Sequence, residues 1–118
     1  MFDGFLRVAA ATPDIRVADC NFNGASAAAL VFEAYEQGVS LLVLPELCLT
    51  GYTCSDLFLQ ESLLDGAGKA LLTLTEATRD KNMVVLAGLP LTVNGVLYNV
   101  AAVLHDGDIL GFVPKSYL

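Results

Sequence analysis

Apolar residues fall along this chain in short unbroken runs separated by stretches of helical spacing. Phe5 to Ala11 is such a run, stopped by Thr12-Pro13, and predicts a first strand. A polar bend, Asp19-Cys20-Asn21-Phe22-Asn23, follows; Asn21 or Asn23 is expected to cap a helix reaching about Gln37. Ala25, Ala28, Phe32 and Tyr35 share one face of that helix, with Glu33 and Glu36 opposite, and Gly38 stands where a C-terminal cap glycine belongs. Val39 to Leu44, apolar throughout, predicts a second strand covered on both faces. Residues 45–60 keep no period and predict a structured loop. From Glu61 to Asp80 the stripe Leu64, Ala67, Leu71, Leu74, Thr78 predicts a second helix, weakened at its start by Gly66 and Gly68. Met83 to Leu89 predicts a third strand.

The remainder predicts a meander. Asn94-Gly95 is a strong hairpin signal, and Asp106-Gly107 a second turn, so Val96–Leu104 and Asp108–Val113 are expected as strands four and five. The fold class is therefore α/β: βαβαβ followed by antiparallel strands. Two helical crossovers make strands one to three parallel, and two hairpins bring strand five back parallel to strand two. Pro45-Glu46, after strand two, and Pro114-Lys115, after strand five, thus leave the sheet at one edge. That edge is the carboxyl end of the parallel strands, where open α/β sheets hold their ligands. Glu46 and Lys115 are candidates for one pocket.

Pro45 restricts the backbone before Glu46 and aims it. At an apolar sheet edge the carboxyl group is expected to have a raised pKa, which suits a general base. Lys115 beside it would hold the carboxylate ionised and donate to a developing oxyanion. The plain alternatives are a solvated loop glutamate and an edge lysine that discourages aggregation. Cys48, between Leu47 and Leu49, reads as a small buried hydrophobe rather than a nucleophile. Cys20 and Cys54 have no histidine near in sequence to act as their base, and His105 reads as a surface turn residue. There is no phosphate-binding glycine loop.

Composition narrows the picture. The 118 residues suffice for one domain, and a hydrophobic content of 55% excludes disorder. That content exceeds what a small globule needs, and implies further buried faces: missing chain, a partner subunit or both. A homo-oligomer is expected. A net charge of −7 without a basic patch argues against nucleic acid and against an anionic membrane surface. No apolar run is long enough to span a bilayer, and the first twenty residues do not read as a signal peptide. Three cysteines and one histidine, with no C-x-x-C pair, predict neither a disulfide scaffold nor a metal site. A reducing, cytoplasmic setting is expected.

Leu42-Val43-Leu44-Pro45-Glu46-Leu47-Cys48-Leu49-Thr50-Gly51-Tyr52 resembles the nitrilase-type carbon–nitrogen hydrolase family. Supporting stretches are Arg7 to Pro13, Asp56-Leu57-Phe58, Gly88 to Leu91, Leu97-Tyr98-Asn99 and Gly111 to Leu118, in order over essentially the whole chain. The continuation from Cys48 to Phe58 points to the N-terminal glutaminase domains of glutamine-dependent NAD⁺ synthetases. The resemblance implies the N-terminal portion of a nitrilase-like α-β-β-α sandwich, with residues 1–118 forming part of one carbon–nitrogen hydrolase domain. It implies a Glu–Lys–Cys triad whose glutamate matches Glu46 and whose lysine matches Lys115, with Tyr52 lining the glutamine pocket. The family's cysteine precedes an acidic residue, and Cys20, Cys48 and Cys54 do not. The nucleophile and the synthetase domain are expected outside this chain, and the chain alone is expected to be inactive. The implied chemistry is hydrolysis of L-glutamine, with ammonia passed to adenylylated deamido-NAD⁺ in a domain that uses ATP and Mg²⁺. No cofactor or metal is implied within residues 1–118. Another nitrilase-superfamily amidase, or a noncatalytic α/β interaction module, are the competing readings.

Overall fold

A computed structural model describes residues 4–51 and 61–115. Its elements are β1 (Val8–Ala10), α1 (Cys20–Glu36), β2 (Leu41–Val43), α2 (Glu61–Ala77), β3 (Val84–Val93), β4 (Val96–His105) and β5 (Asp108–Pro114). The five strands form one sheet in the order β1-β2-β3-β4-β5. β1, β2 and β3 are parallel, whereas β3–β4 and β4–β5 are antiparallel. The strand directions are the expected ones, with β1 and β2 shorter and β3 longer than the apolar runs suggest.

Each hairpin turn places an Asx-Gly pair in the left-handed region: Asn94 at φ 52° with Gly95 at 78°, and Asp106 at 46° with Gly107 at 80°. Two consecutive positive φ values match the right-handed twist of the strands they join.

Both helices pack on one sheet face. That face presents Leu42, Val85, Ala87, Leu89, Val100, Ala102 and Leu104, all buried against Val31, Leu71 and Leu74. Burying each large aliphatic side chain contributes roughly 1.5–3 kcal/mol. In α2 the buried stripe runs through Ala67, Leu71 and Leu74 to Thr78 just past the helix, as expected, but it begins at Leu63 rather than Leu64.

Helix α1 departs from the sequence expectation in two ways. Its N-cap is Asp19, whose carboxylate accepts the Phe22 N–H at 3.1 Å. Asn23 is fully buried instead: its amide accepts from the Arg16 N–H and donates to the carbonyls of Arg16 and Leu49. The buried face is Cys20, Asn23, Gly24, Ala27, Val31 and Ala34, not the one carrying Phe32 and Tyr35. Those two rings stay exposed, with the Lys81 ammonium 4.3 Å from the Phe32 centroid and 5.6 Å from that of Tyr35. Small residues win the interior because α1 and α2 approach closely: a Cβ on Gly24 would lie 3.0 Å from the Cβ of Ala70.

The opposite sheet face is open among the described residues. Val8, Val43 and Val113 lie on it, at 61%, 38% and 59% exposure. β2 is thus covered on one face only, contrary to the expectation from its continuous apolar run. Part of the exposed apolar surface lies on this face, and the site is built on it.

One contact governs how the loop after β2 meets the sheet. The backbone of Glu46 and Leu47 lies directly on Gly88 of β3. A Cβ at Gly88 would sit 2.3 Å from the Leu47 nitrogen and 2.9 Å from the Glu46 Cα, backbone atoms with no rotamer to yield. Gly88→Ala is therefore expected to destabilise the chain by about 1–3 kcal/mol. It is also expected to lift the loop from β3. Urea unfolding measures the first effect, and unchanged stability would show that the loop does not rest on β3.

Candidate active site

Glu46 lies in a turn entered through Pro45. The Pro45 carbonyl accepts the Cys48 N–H, and the Leu47 carbonyl accepts those of Thr50 and Gly51. Leu47 takes a positive φ of 53°, a strained conformation for a residue with a side chain. The turn is held from beneath as well: Leu49 N–H donates to the Gly88 carbonyl, and the buried Asn23 amide donates to the Leu49 carbonyl.

Lys115 stands just beyond β5 and bonds to Glu46 across 69 residues of sequence, with Nζ 3.0 Å from Oε1. β2 and β5 are three strand spacings apart, about 14 Å. The gap closes because the Glu46 turn steps over β3 at Gly88 while Lys115 reaches back over β4. Glu46 and Lys115 therefore line one pocket, as the strand directions lead one to expect. Both side chains remain about half exposed, at 47% for Glu46 and 56% for Lys115.

A third residue joins them. Asn99 of β4 donates from Nδ2 to the same Glu46 Oε1, and its main-chain carbonyl accepts the Lys115 N–H at 2.8 Å. Sequence reasoning assigned Asn99 no role. Its place in Leu97-Tyr98-Asn99 was the available signal, together with a strand position that points to the site face.

The two donors set the charge state of Glu46. The Lys115 ammonium, then the Asn99 amide, hold its pKa below the ordinary carboxylate value of 4.5, outweighing the opposing effect of burial. This corrects the expectation of a raised pKa: the sheet edge is apolar, but the carboxylate sits above it in contact with water and two donors. The other expectation, that Lys115 keeps Glu46 ionised, agrees with the structure.

The charged cluster rims a cavity of about 300 Å³ whose lining includes Val43, Leu86, Ala101 and Val113 from the open sheet face. It is an apolar floor with one carboxylate, one ammonium and one amide at its edge. Such a site orients a small polar molecule and offers both a proton acceptor and a cation.

The described cysteines do not supply a nucleophile. Cys48 is wholly buried, its Sγ 3.7 Å from the Gly88 carbonyl oxygen, and burial pushes its thiol up to about 11. Cys20 is buried, its Sγ 3.9 Å from the Leu63 carbonyl oxygen. Tyr52 and Cys54 lie outside the described residues. His105 ends β4 beside Asn82, at the opposite end of the strand from Asn99. No group of three or more His, Cys, Asp or Glu side chains among the described residues is arranged to hold a metal ion.

Comparison with known proteins follows the same lines. The sequence model of the carbon–nitrogen hydrolase family matches residues 7–118. A glutamine-dependent NAD(+) synthetase of Mycobacterium tuberculosis is 44% identical over 115 residues, which cover 98% of this chain and 17% of that protein. Among solved structures, a glutamine-dependent NAD(+) synthetase from Cytophaga hutchinsonii superposes with a TM-score of 0.88 at 30% identity, over 96% of this chain and 19% of that one. A mutant of the Nesterenkonia AN1 amidase from the nitrilase superfamily superposes with a TM-score of 0.80 at 26% identity, over 96% and 44%. The chain thus spans about a fifth of the length of the synthetases it matches. A family match over nearly all of its residues, joined to a nitrilase-like fold, makes this chain a member of the carbon–nitrogen hydrolase family.

Proposed function

We propose that this chain forms part of the glutaminase domain of a glutamine-dependent NAD⁺ synthetase, with Glu46 as general base and Lys115 as oxyanion donor. The observation that carries the reading is the Glu46–Lys115 pair at the rim of the cavity. In this reading a cysteine thiol from outside the chain gives its proton to Glu46. The thiolate attacks the carboxamide carbon of L-glutamine, and the negative charge passes to the amide oxygen beside Lys115. Glu46 returns the proton to the departing ammonia. It then takes a proton from water as the water attacks the thioester, and passes that proton to the departing thiolate, which frees glutamate and restores the thiol.

The electrostatics suit this order of events. Lys115 keeps Glu46 ionised in the resting state, which makes it available but a weak base. When negative charge grows on the substrate oxygen, the ammonium is drawn towards it, and the carboxylate becomes more basic as the thiol proton arrives. Ammonia would then meet adenylylated deamido-NAD⁺ in a synthetase domain that holds ATP and Mg²⁺; no step within residues 1–118 runs through them. Tyr52 would line the glutamine pocket. The open apolar face favours a homo-oligomer or further covering chain. No helix among the described residues is long and apolar enough to cross a membrane, and a cytoplasmic setting accords with this chemistry.

A synthetase in which this chain replaces the matching 115 residues of the Mycobacterium tuberculosis relative provides the assay. Glu46→Gln is expected to lower glutamine-dependent NAD⁺ formation by about 10²–10⁴-fold. Synthesis from free ammonia should persist. Lys115→Ala should give the same split through loss of the cation. Equal loss with both nitrogen sources would signify a structural role only. Hydrolysis of other amides with glutamine untouched would favour a stand-alone amidase of the Nesterenkonia kind.

The charge state gives a second expectation. Lys115→Met removes the larger of the two effects that depress Glu46, so the Glu46 titration moves up towards 4.5. A depressed folded-state pKa stabilises the fold above the unfolded value. That contribution is lost as the pH falls through the lower folded value. Wild type should therefore exceed Lys115→Met in stability at neutral pH, by a small and salt-sensitive margin, with the difference vanishing well below pH 4.5. Carboxyl ¹³C chemical shifts and urea melts across pH measure both. A Glu46 titration that ignores Lys115 would refute the pairing.

A further inference from the structure

We infer that Asn99 is a positioning residue that fixes Glu46 through one carboxylate oxygen and leaves the other, Oε2, as the proton acceptor. The inference rests on the reading of Glu46 as the base. Its grounds are geometric.

Asn99 Nδ2 and Lys115 Nζ both donate to Oε1. Among the described residues no donor reaches Oε2. A carboxylate only accepts, so the Asn99 amide must present its NH₂. With two donors on Oε1, an incoming proton goes to Oε2.

Asn99 differs from Lys115 in how it is held. It lies within β4, opposite Pro90 of β3, and its carbonyl bonds the Lys115 N–H from the end of β5. Two strand ladders therefore place its side chain, and its short stem leaves one reach. Lys115 has a long flexible stem and is more than half exposed. If the ammonium turns to a substrate oxygen during the reaction, Asn99 still locates the carboxylate. The amide is neutral, so it holds Glu46 without offering a second cation. One residue also registers both partners, since its side chain meets the base and its main chain meets the lysine. Glu46 sits on a turn whose neighbour Leu47 is strained, so its orientation needs this external fix.

The test uses the same grafted synthetase, with glutamine and ammonia as paired nitrogen sources. Asn99→Ala is expected to lower glutamine-dependent kcat/KM by about 10–100-fold, the usual cost of a misplaced reacting group. Ammonia-dependent synthesis should be unchanged. The acid limb of the glutamine pH profile should move up, because Glu46 loses a donor. Asn99→Asp keeps the shape but sets a second carboxylate against Glu46, so the limb should move up further. If Asn99→Ala does not melt cooperatively, Asn99→Thr, a strand-favouring replacement, takes its place with the same expectation.

An acid limb that stays put in Asn99→Ala and Asn99→Asp overturns the inference, as does equal loss with both nitrogen sources. Failure of the underlying reading looks different. There Glu46→Gln itself keeps glutamine-dependent activity, whatever Asn99 does.

Discussion

The whole site depends on the absence of a side chain at Gly88. Glu46 follows β2 and Lys115 follows β5, two strands that never touch. They meet only because the Glu46 turn lies flat on β3, closer than a methyl group would allow. That approach is secured from both sides. The Gly88 carbonyl accepts from Leu49, and the buried Asn23 amide of α1 holds the far end of the same turn. The helical layer thus reaches through the sheet edge to steady a turn on the other side.

The succession of elements, the strand directions and the shared edge were legible in the sequence, because each rested on a local signal: apolar runs, Asx-Gly turns and helical stripes. The two carboxyl-edge residues followed from counting reversals. The identity of α1's buried face was not legible. Phe32 and Tyr35 are among its largest apolar side chains, yet the tight α1–α2 approach selects Ala27, Val31 and Ala34 for the interior. Periodicity reports which residues share a face, not which face finds a partner. The cap was misread for a related reason: Asn23 has the chemistry of a cap but serves as a buried bridge between two loops, a tertiary role that no local spacing reveals.

The charge state of Glu46 shows why a residue's edge position is a poor guide to its pKa. Apolar neighbours along the chain suggested desolvation. In three dimensions those neighbours, Leu47 to Leu49, turn into the core while Glu46 stays above it. What governs Glu46 is instead two donors from strands distant in sequence. The same burial that spares Glu46 acts fully on Cys48, two residues away, and raises its thiol to about 11. Adjacent residues in one turn thereby have opposite electrostatic fates.

Parity along the strands completes the argument. Side chains alternate between sheet faces, so a slip of one residue moves every group to the other face. The two-residue Asn94-Gly95 turn pairs Val93 with Val96 and so brings Asn99 opposite Pro90, on the site face. Between β4 and β5 the register shifts at Val103/Leu104: Leu104 pairs with Ile109, but Val103 pairs with Gly111, leaving Leu110 as an extra residue. Without that bulge Pro114 would stand beside Asn99, and Lys115 would fall on the helical face. With it, Val100 pairs with Pro114 and Lys115 comes level with Asn99. One inserted residue, invisible in the hydrophobic pattern, therefore decides that the ammonium and the carboxylate share a face. Bulges near sites re-aim a side chain in this way. Here the bulge sets Lys115, the turn sets Asn99, and the bare backbone of Gly88 admits Glu46.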